Sequence, residues 1–125
     1  MKMLKVYVAG KYSDDNVLSM LGNIRKGLRA SWLIMEMGMT PYCPWADYSI
    51  VLQTPDDGYL TVEQLKACSM EWLRVCDAVY VLDNWETSPG TKEEIAVAAS
   101  LGIPVFYDIT GLMKFKIKKI VAEVK

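Results

Sequence analysis

Met3-Leu4-Lys5-Val6-Tyr7-Val8-Ala9, closed by Gly10, is apolar, β-branched and aromatic with almost no polar interruption. A strand with one wet face alternates apolar and polar residues; a near-continuous apolar run of this length reads instead as a strand covered on both faces, the mark of a parallel sheet. Three later segments repeat the signal. Met39-Thr-Pro-Tyr-Cys43 is a short second strand, which Pro41 places at an edge or at a strand start. Asp77-Ala-Val-Tyr-Val-Leu82 is the third, and Ile103-Pro-Val-Phe-Tyr107 the fourth.

Helical patterns fill the intervals. Val17, Met20, Leu21, Ile24, Leu28, Trp32 and Met35 recur at steps of three and four, form one apolar stripe and predict a helix over 17–37, with Gly38 as its stop. Lys11-Tyr-Ser-Asp-Asp-Asn16 precedes it as a turn and N-cap region. A second helix starts at Thr61, with Val62, Leu65, Ser69, Trp72, Leu73 and Cys76 sharing a stripe in which Ser69 is the polar member. A third runs from about Thr91 to Leu101 and ends at Gly102, and a fourth covers roughly 111–123. The order β-α-β-α-β-α-β-α predicts an α/β fold: a flavodoxin-like, Rossmann-like doubly wound parallel sheet in a three-layer α/β/α sandwich.

Composition narrows the chemistry. The 125 residues form a single domain over 1–125, since two halves would be too small to bury separate cores. Fourteen Lys+Arg against fifteen Asp+Glu leave a net charge of −1, which argues against duplex nucleic acid as a partner. The absence of histidine excludes a Ser–His–Asp triad, a Cys–His pair and any His-ligated metal. Cys43, Cys68 and Cys76 are odd in number and lack C-x-x-C spacing, so neither a disulfide framework nor a zinc site is expected, and reduced thiols point to a cytoplasmic location. No run approaches ~18 apolar residues, so no membrane span is expected.

In doubly wound sheets ligands bind beyond the carboxyl ends of the strands. That singles out 9–16, 44–60 and 83–94. Ser88-Pro-Gly-Thr-Lys-Glu-Glu94 runs from loop into helix: Gly90 lets backbone approach a ligand, the first-turn amides attract anions, and Ser88 can donate to phosphate or simply cap the helix. Glu94 sits about one turn in and points toward the sheet, as a nucleophile or electrostatic stabiliser, unless it and Glu93 only complement the helix dipole. Tyr7, in a buried strand, needs a partner for its hydroxyl: a carboxylate, backbone or solvent. Ser69 is a catalytic candidate or a small packing residue. Asp77, at a strand start directly after a helix, is expected to cap or brace a neighbouring loop. Trp45 and Trp85 either stack a base or pack under loops. Lys114, Lys116, Lys118 and Lys119, interleaved with Phe115, Ile117 and Ile120, make a solvated amphipathic helix or an anionic-surface contact.

The ordered set of motifs resembles the nucleoside 2-deoxyribosyltransferase superfamily, and is similar to its small bacterial and phage members and to the deoxynucleoside 5′-monophosphate N-glycosidases. Val6-Tyr-Val-Ala-Gly-Lys-Tyr-Ser13 looks like the superfamily's opening. Asp77-Ala-Val79 followed by Trp85-Glu-x-Ser88-x-Gly90-Thr91-x-x-Glu94-Ile95 looks like its second signature, and Gly102-Ile-Pro-Val105 closes the pattern. The resemblance implies cleavage of an N-glycosidic bond by hydrolysis or deoxyribosyl transfer. Glu94 would be the nucleophile toward C1′ and Tyr7 the residue that orients it. Ser88 with the amides from Gly90 would form a 5′-phosphate site, and Gly10, Lys11, Ser13, Asn23, Trp85 and Thr91 would make further substrate contacts, with Arg25 as another phosphate candidate. It implies a small-molecule nucleoside or nucleotide substrate, no metal or organic cofactor, and a homo-oligomer of dimeric or higher order. Members commonly carry an aspartate on the second helix where this chain has Ser69. Glu71 points elsewhere, and Asp47, Asp56 and Asp57 are the acids available in the 44–60 loop. The alternatives are a non-catalytic nucleotide-binding module using the same pocket, and a partner-binding protein.

Overall fold

A computed structural model of the chain describes residues 2–46, 50–53, 58 and 60–124; Asp47, Asp56 and Asp57 lie outside the described residues. Four parallel strands are joined by helices in strict alternation. They are β1 (Lys5–Ala9), α1 (Val17–Glu36), β2 (Thr40–Tyr42), α2 (Val62–Arg74), β3 (Ala78–Val81), α3 (Pro89–Ser100), β4 (Val105–Phe106) and α4 (Ile109–Val124). The strand order is β2-β1-β3-β4, with every pair parallel. The chain therefore steps to one side of β1 and then crosses to the other, the doubly wound topology read from the sequence, with β2 at an edge where Pro41 costs no ladder bond.

Period-two alternation sorts the core into two halves. Val6, Val8, Ala78 and Leu82 point to one face and meet Ala30 and Ile34 of α1 and Leu112 of α4. Tyr7, Ala9, Val79 and Val81 point to the other and meet Leu73 of α2 and Ala98 of α3. Both faces are covered, which is why these strands carry no polar alternation.

Element ends follow local chemistry. Asn16 accepts hydrogen bonds from the Leu18 and Ser19 amides at the start of α1. Thr61 and Gln64 form a reciprocal capping box on α2. Gly38 and Gly102 follow α1 and α3 at φ +80° and +72°, a region that L side chains rarely enter. Asp77 accepts from the Lys5 amide at 2.8 Å and so braces the start of β1. Lys116 donates to the Met37 carbonyl, tying α4 to the end of α1.

The apolar stripe of α1 is for the most part not the face that packs on the sheet. The buried residues of α1 are Asn23, Gly27, Ala30 and Ile34. Of the expected stripe, Ile24 packs against the core, whereas Val17, Leu21, Leu28, Trp32 and Met35 are exposed. The reason is steric. Trp45 lies against this helix, and a Cβ at Gly27 would stand 2.4 Å from its indole nitrogen, so the helix turns its smallest residues inward. α3 also starts earlier than expected, at Pro89, and β4 is only two residues long.

Candidate active site

The carboxyl ends of β1 and β3 deliver two loops to the same end of the sheet. Asn84, just past β3, holds them together. Its Oδ1 accepts from the Lys11 amide at 3.0 Å, and its Nδ2 donates to Asn23 Oδ1 at 3.2 Å and, at 3.5 Å, to the Lys11 carbonyl. Asn23 in turn donates to the Tyr12 carbonyl at 3.1 Å. Sequence reasoning missed Asn84. Its only signal was an amide side chain at the strand-to-loop junction, where such residues commonly bond to nearby backbone. Asn23 is buried and its amide is engaged within this network.

The candidate carboxylate is on the other face of the sheet, where Tyr7 of β1 meets α3. Tyr7 is fully buried on β1, and its hydroxyl donates to Glu94 Oε2, joining residues 87 positions apart in sequence. Glu94 is half-buried in the second turn of α3. Burial pushes its pKa from 4.5 up to about 7. The Tyr7 hydrogen bond holds it lower than burial alone would, the neighbouring Glu93 raises it and Lys66 lowers it. Burial, reinforced by Glu94, drives the Tyr7 hydroxyl well above the ordinary phenol range, so it stays protonated and remains a donor. A hydrogen-bonding contact from Ser69 pulls the other way. Three of the sequence candidates, Tyr7, Glu94 and Ser69, thus meet around one phenol oxygen. Glu71 is exposed and pairs with Arg74 at 3.6 Å on its own helix.

The other candidates divide by what they touch. Ser88 is buried and caps α3, accepting from the Thr91 amide at 3.2 Å and the Thr91 hydroxyl at 2.8 Å. Thr91 is itself buried. A Cβ on Gly90 would meet nothing within 4 Å, so the first turn of α3 opens onto free space. Gly10 is buried, and a Cβ there would stand 2.5 Å from Leu82 Cδ1, so packing alone demands glycine. Lys11 and Ser13 line an open recess of ≈ 240 Å³ together with Asp14 and Asp15. Lys11 Nζ reaches Thr87 Oγ1 at 3.4 Å and Asp14 at 3.6 Å, linking that recess to the loop before α3. Arg25 is exposed on α1. Trp85 is half-buried, tilted against Tyr107 at 5.3 Å. Trp45 is a core residue, stacked on Tyr12 at 6.2 Å, and not a free platform. On the far side Tyr7, Tyr42 and Trp72 form a ladder of rings at 5.7 and 5.5 Å.

The described residues hold no cluster of three or more His, Cys, Asp or Glu able to bind a metal ion. No described helix is long and apolar enough to cross a membrane.

Known proteins give the arrangement its context. No curated protein matches the chain. A 2-deoxyribosyltransferase from the psychrotolerant bacterium Bacillus psychrosaccharolyticus superposes with a TM-score of 0.58 at 20% identity, covering 81% of this chain and 69% of that one. A conserved protein from Enterococcus faecalis V583 superposes with a TM-score of 0.66 at 22% identity. That match covers 83% of this chain and 62% of the other, less than two thirds of its length. These likenesses establish the architecture: a four-stranded parallel sheet with four helices, matching the 2-deoxyribosyltransferase-like fold. Residues 35–107, more than half of the chain, match the family described as "Domain of unknown function (DUF4406)", and the protein belongs to that family.

Proposed function

We propose that the protein cleaves the N-glycosidic bond of a 2′-deoxynucleoside or its 5′-monophosphate, with Glu94 as nucleophile. The observation that carries this reading is the Tyr7–Glu94 hydrogen bond inside a largely apolar setting. One carboxylate oxygen is held by the phenol, which leaves the other to approach C1′. Its attack forms a C1′–O bond while the C1′–N bond breaks and its electron pair leaves with the base. Water, or a second base, then attacks C1′, the C1′–O bond breaks to return the carboxylate, and the proton that the incoming nucleophile gives up balances the one taken up by the departed base. The transition state carries positive charge on the sugar, and an anion in a poorly hydrated site stabilises such charge more than one in water does. Covalent capture divides one difficult displacement into two easier ones. None of these steps calls for a histidine or a metal.

Ser88, Gly90 and Lys11 support binding of a phosphate at the mouth of α3. The open space before Gly90 admits an anion to the positive end of the helix dipole, and Lys11 supplies the charge.

Glu94→Gln tests the proposal. The amide keeps the shape and still accepts from Tyr7 but cannot form the ester. Incubation with each deoxynucleoside and its monophosphate should yield free base from the native chain. The variant should retain ligand binding and lose at least ~10³-fold in turnover, the scale expected when a covalent nucleophile is removed. Equal turnover by the two proteins refutes the assignment.

One observation favours a second reading, a non-catalytic nucleotide-binding module. The group beside the Tyr7 hydroxyl on α2 is the neutral Ser69, which cannot act as an acid toward a departing base. Ligand binding without release of base from the native chain would support that reading over the enzymatic one.

A further inference from the structure

We infer that Lys66 of α2 is the proton donor to the departing base, a catalytic group facing the base across C1′ from Glu94. The inference rests on the N-glycosidic reading above and adds a residue to it. A base that leaves with the C1′–N electron pair carries negative charge unless a proton reaches it, and proton donation to a leaving group contributes on the order of 10²–10⁴-fold. The three side chains that meet at the phenol oxygen do not supply that proton. Glu94 must be ionised to attack. Tyr7 donates its hydroxyl to Glu94, and burial holds the phenol proton in place. Ser69 is neutral and engaged with the Tyr7 hydroxyl.

The fold brings an ammonium to the same place. Lys66 stands three residues before Ser69, so the two share one face of α2. α2 begins after β2 and ends before β3 in a parallel sheet, and therefore runs from the carboxyl end of the strands toward the amino end. Lys66 is thus about 4.5 Å nearer the mouth than Ser69, at 1.5 Å per residue, on the side where ligands enter such sheets. α2 packs on α3, and Lys66 Nζ lies 3.9 Å from Glu93 Oε2, the neighbour of the nucleophile. The charge of Lys66 also lowers the Glu94 pKa, although no ion pair joins the two. Lys66 therefore confronts the carboxylate from the opposing helix and leaves room between them. Lys66 and Glu93 keep 57% and 59% of their side-chain surface exposed, so their pairing is loose and the lysine arm can turn onto a ligand.

The proton then balances over the cycle. In the first step Glu94 forms the C1′–O bond, the C1′–N bond breaks toward the base, and the Lys66 ammonium passes a proton to the base and becomes a neutral amine. In the second, water attacks C1′ and the C1′–O bond breaks to return the Glu94 carboxylate. The amine takes the proton that the water gives up, which restores the ammonium.

The test compares the native chain with Lys66→Gln at about pH 8, above the Glu94 pKa of about 7, so that the carboxylate is ionised. Circular dichroism checks that the variant is folded. Two substrates are used. One is the deoxynucleoside or monophosphate that the native chain cleaves fastest. The other is its activated counterpart, methylated at N7 for a purine or carrying a nitro group at C5 for a pyrimidine, whose base departs without needing a proton. Lys66→Gln should slow the ordinary substrate by roughly 10²-fold or more and the activated one by no more than about threefold. Equal losses on both substrates overturn the inference, because Lys66 then acts on Glu94 or on the fold and not on the base. Unchanged turnover of the ordinary substrate overturns it as well. Either result leaves the role of Glu94 standing. A native chain that binds these substrates and releases base from neither removes the glycosidic reading and the role of Lys66 together.

Discussion

At the scale of the residue, the proposed role of Glu94 would tie activity and stability to the same proton. A nucleophilic carboxylate must be ionised, so kcat/KM for base release should rise with pH through about 7 and level above it. A profile that falls over this range would instead assign the protonated form to the chemistry. Stability runs the opposite way. The folded-state pKa, about 7, stands above the ordinary 4.5, so the folded chain binds this proton more tightly than the unfolded one. The stabilisation linked to that proton is full below about pH 4.5 and is lost as pH rises through about 7. The Glu94→Gln variant lacks the titration. Relative to it, the native chain should lose on the order of 2 kcal/mol between about pH 5 and about pH 8, a figure reduced for the partial solvent contact of the carboxyl. Urea denaturation at the two pH values measures the difference. The sequence placed Glu94 and Tyr7 as candidates through strand and helix position, but nothing in it stated that their side chains touch. Side chains 87 positions apart meet only once β1 and β3 are neighbours with α3 packed across them.

At the scale of the element, α1 holds two glycines with opposite demands. Gly22 has open space where a Cβ would go, so Gly22→Ala should stabilise by about 0.5–1 kcal/mol through helix propensity alone. A Cβ on Gly27 would stand 2.4 Å from the Trp45 indole nitrogen, so Gly27→Ala must displace a core ring and should cost about 1–3 kcal/mol, more than the propensity gain returns. Thermal or urea midpoints of the pair test the sign. This helix also marks the limit of periodicity as evidence. The spacing of Val17, Leu21, Leu28, Trp32 and Met35 correctly announces a helix. Burial, however, depends on the shape of the partner, and Trp45 admits only the narrow face of Gly27 and Ala30. The strands were more legible, because a segment covered on both sides needs only to be apolar.

At the scale of the whole molecule, Asn84 joins parts distant in sequence: the loop after β1, the middle of α1 and the loop after β3. Asn84→Ala should leave the Lys11 amide and the Asn23 amide oxygen without partners in a partly buried setting, at a cost of about 1–3 kcal/mol. If the recess lined by Lys11 and Ser13 also depends on this tie, the variant should bind a deoxynucleoside monophosphate more weakly than its loss of stability explains. Ligand titration at a temperature where both proteins are folded separates the two effects. Doubly wound topology was legible throughout, since alternating helices and apolar strands permit little else. The residues that lock the loops were not, because one amide side chain in a polar turn reads like any other.

The clasp between Lys116 and the end of α1 has a consequence for how the chain is made. One face of the central strands, with Val6, Val8 and Ile34, is closed only when Leu112 and Phe115 arrive on α4. A nascent chain stalled before that point would show a greasy, half-roofed sheet to the cell, and chaperones and proteases would meet it there first.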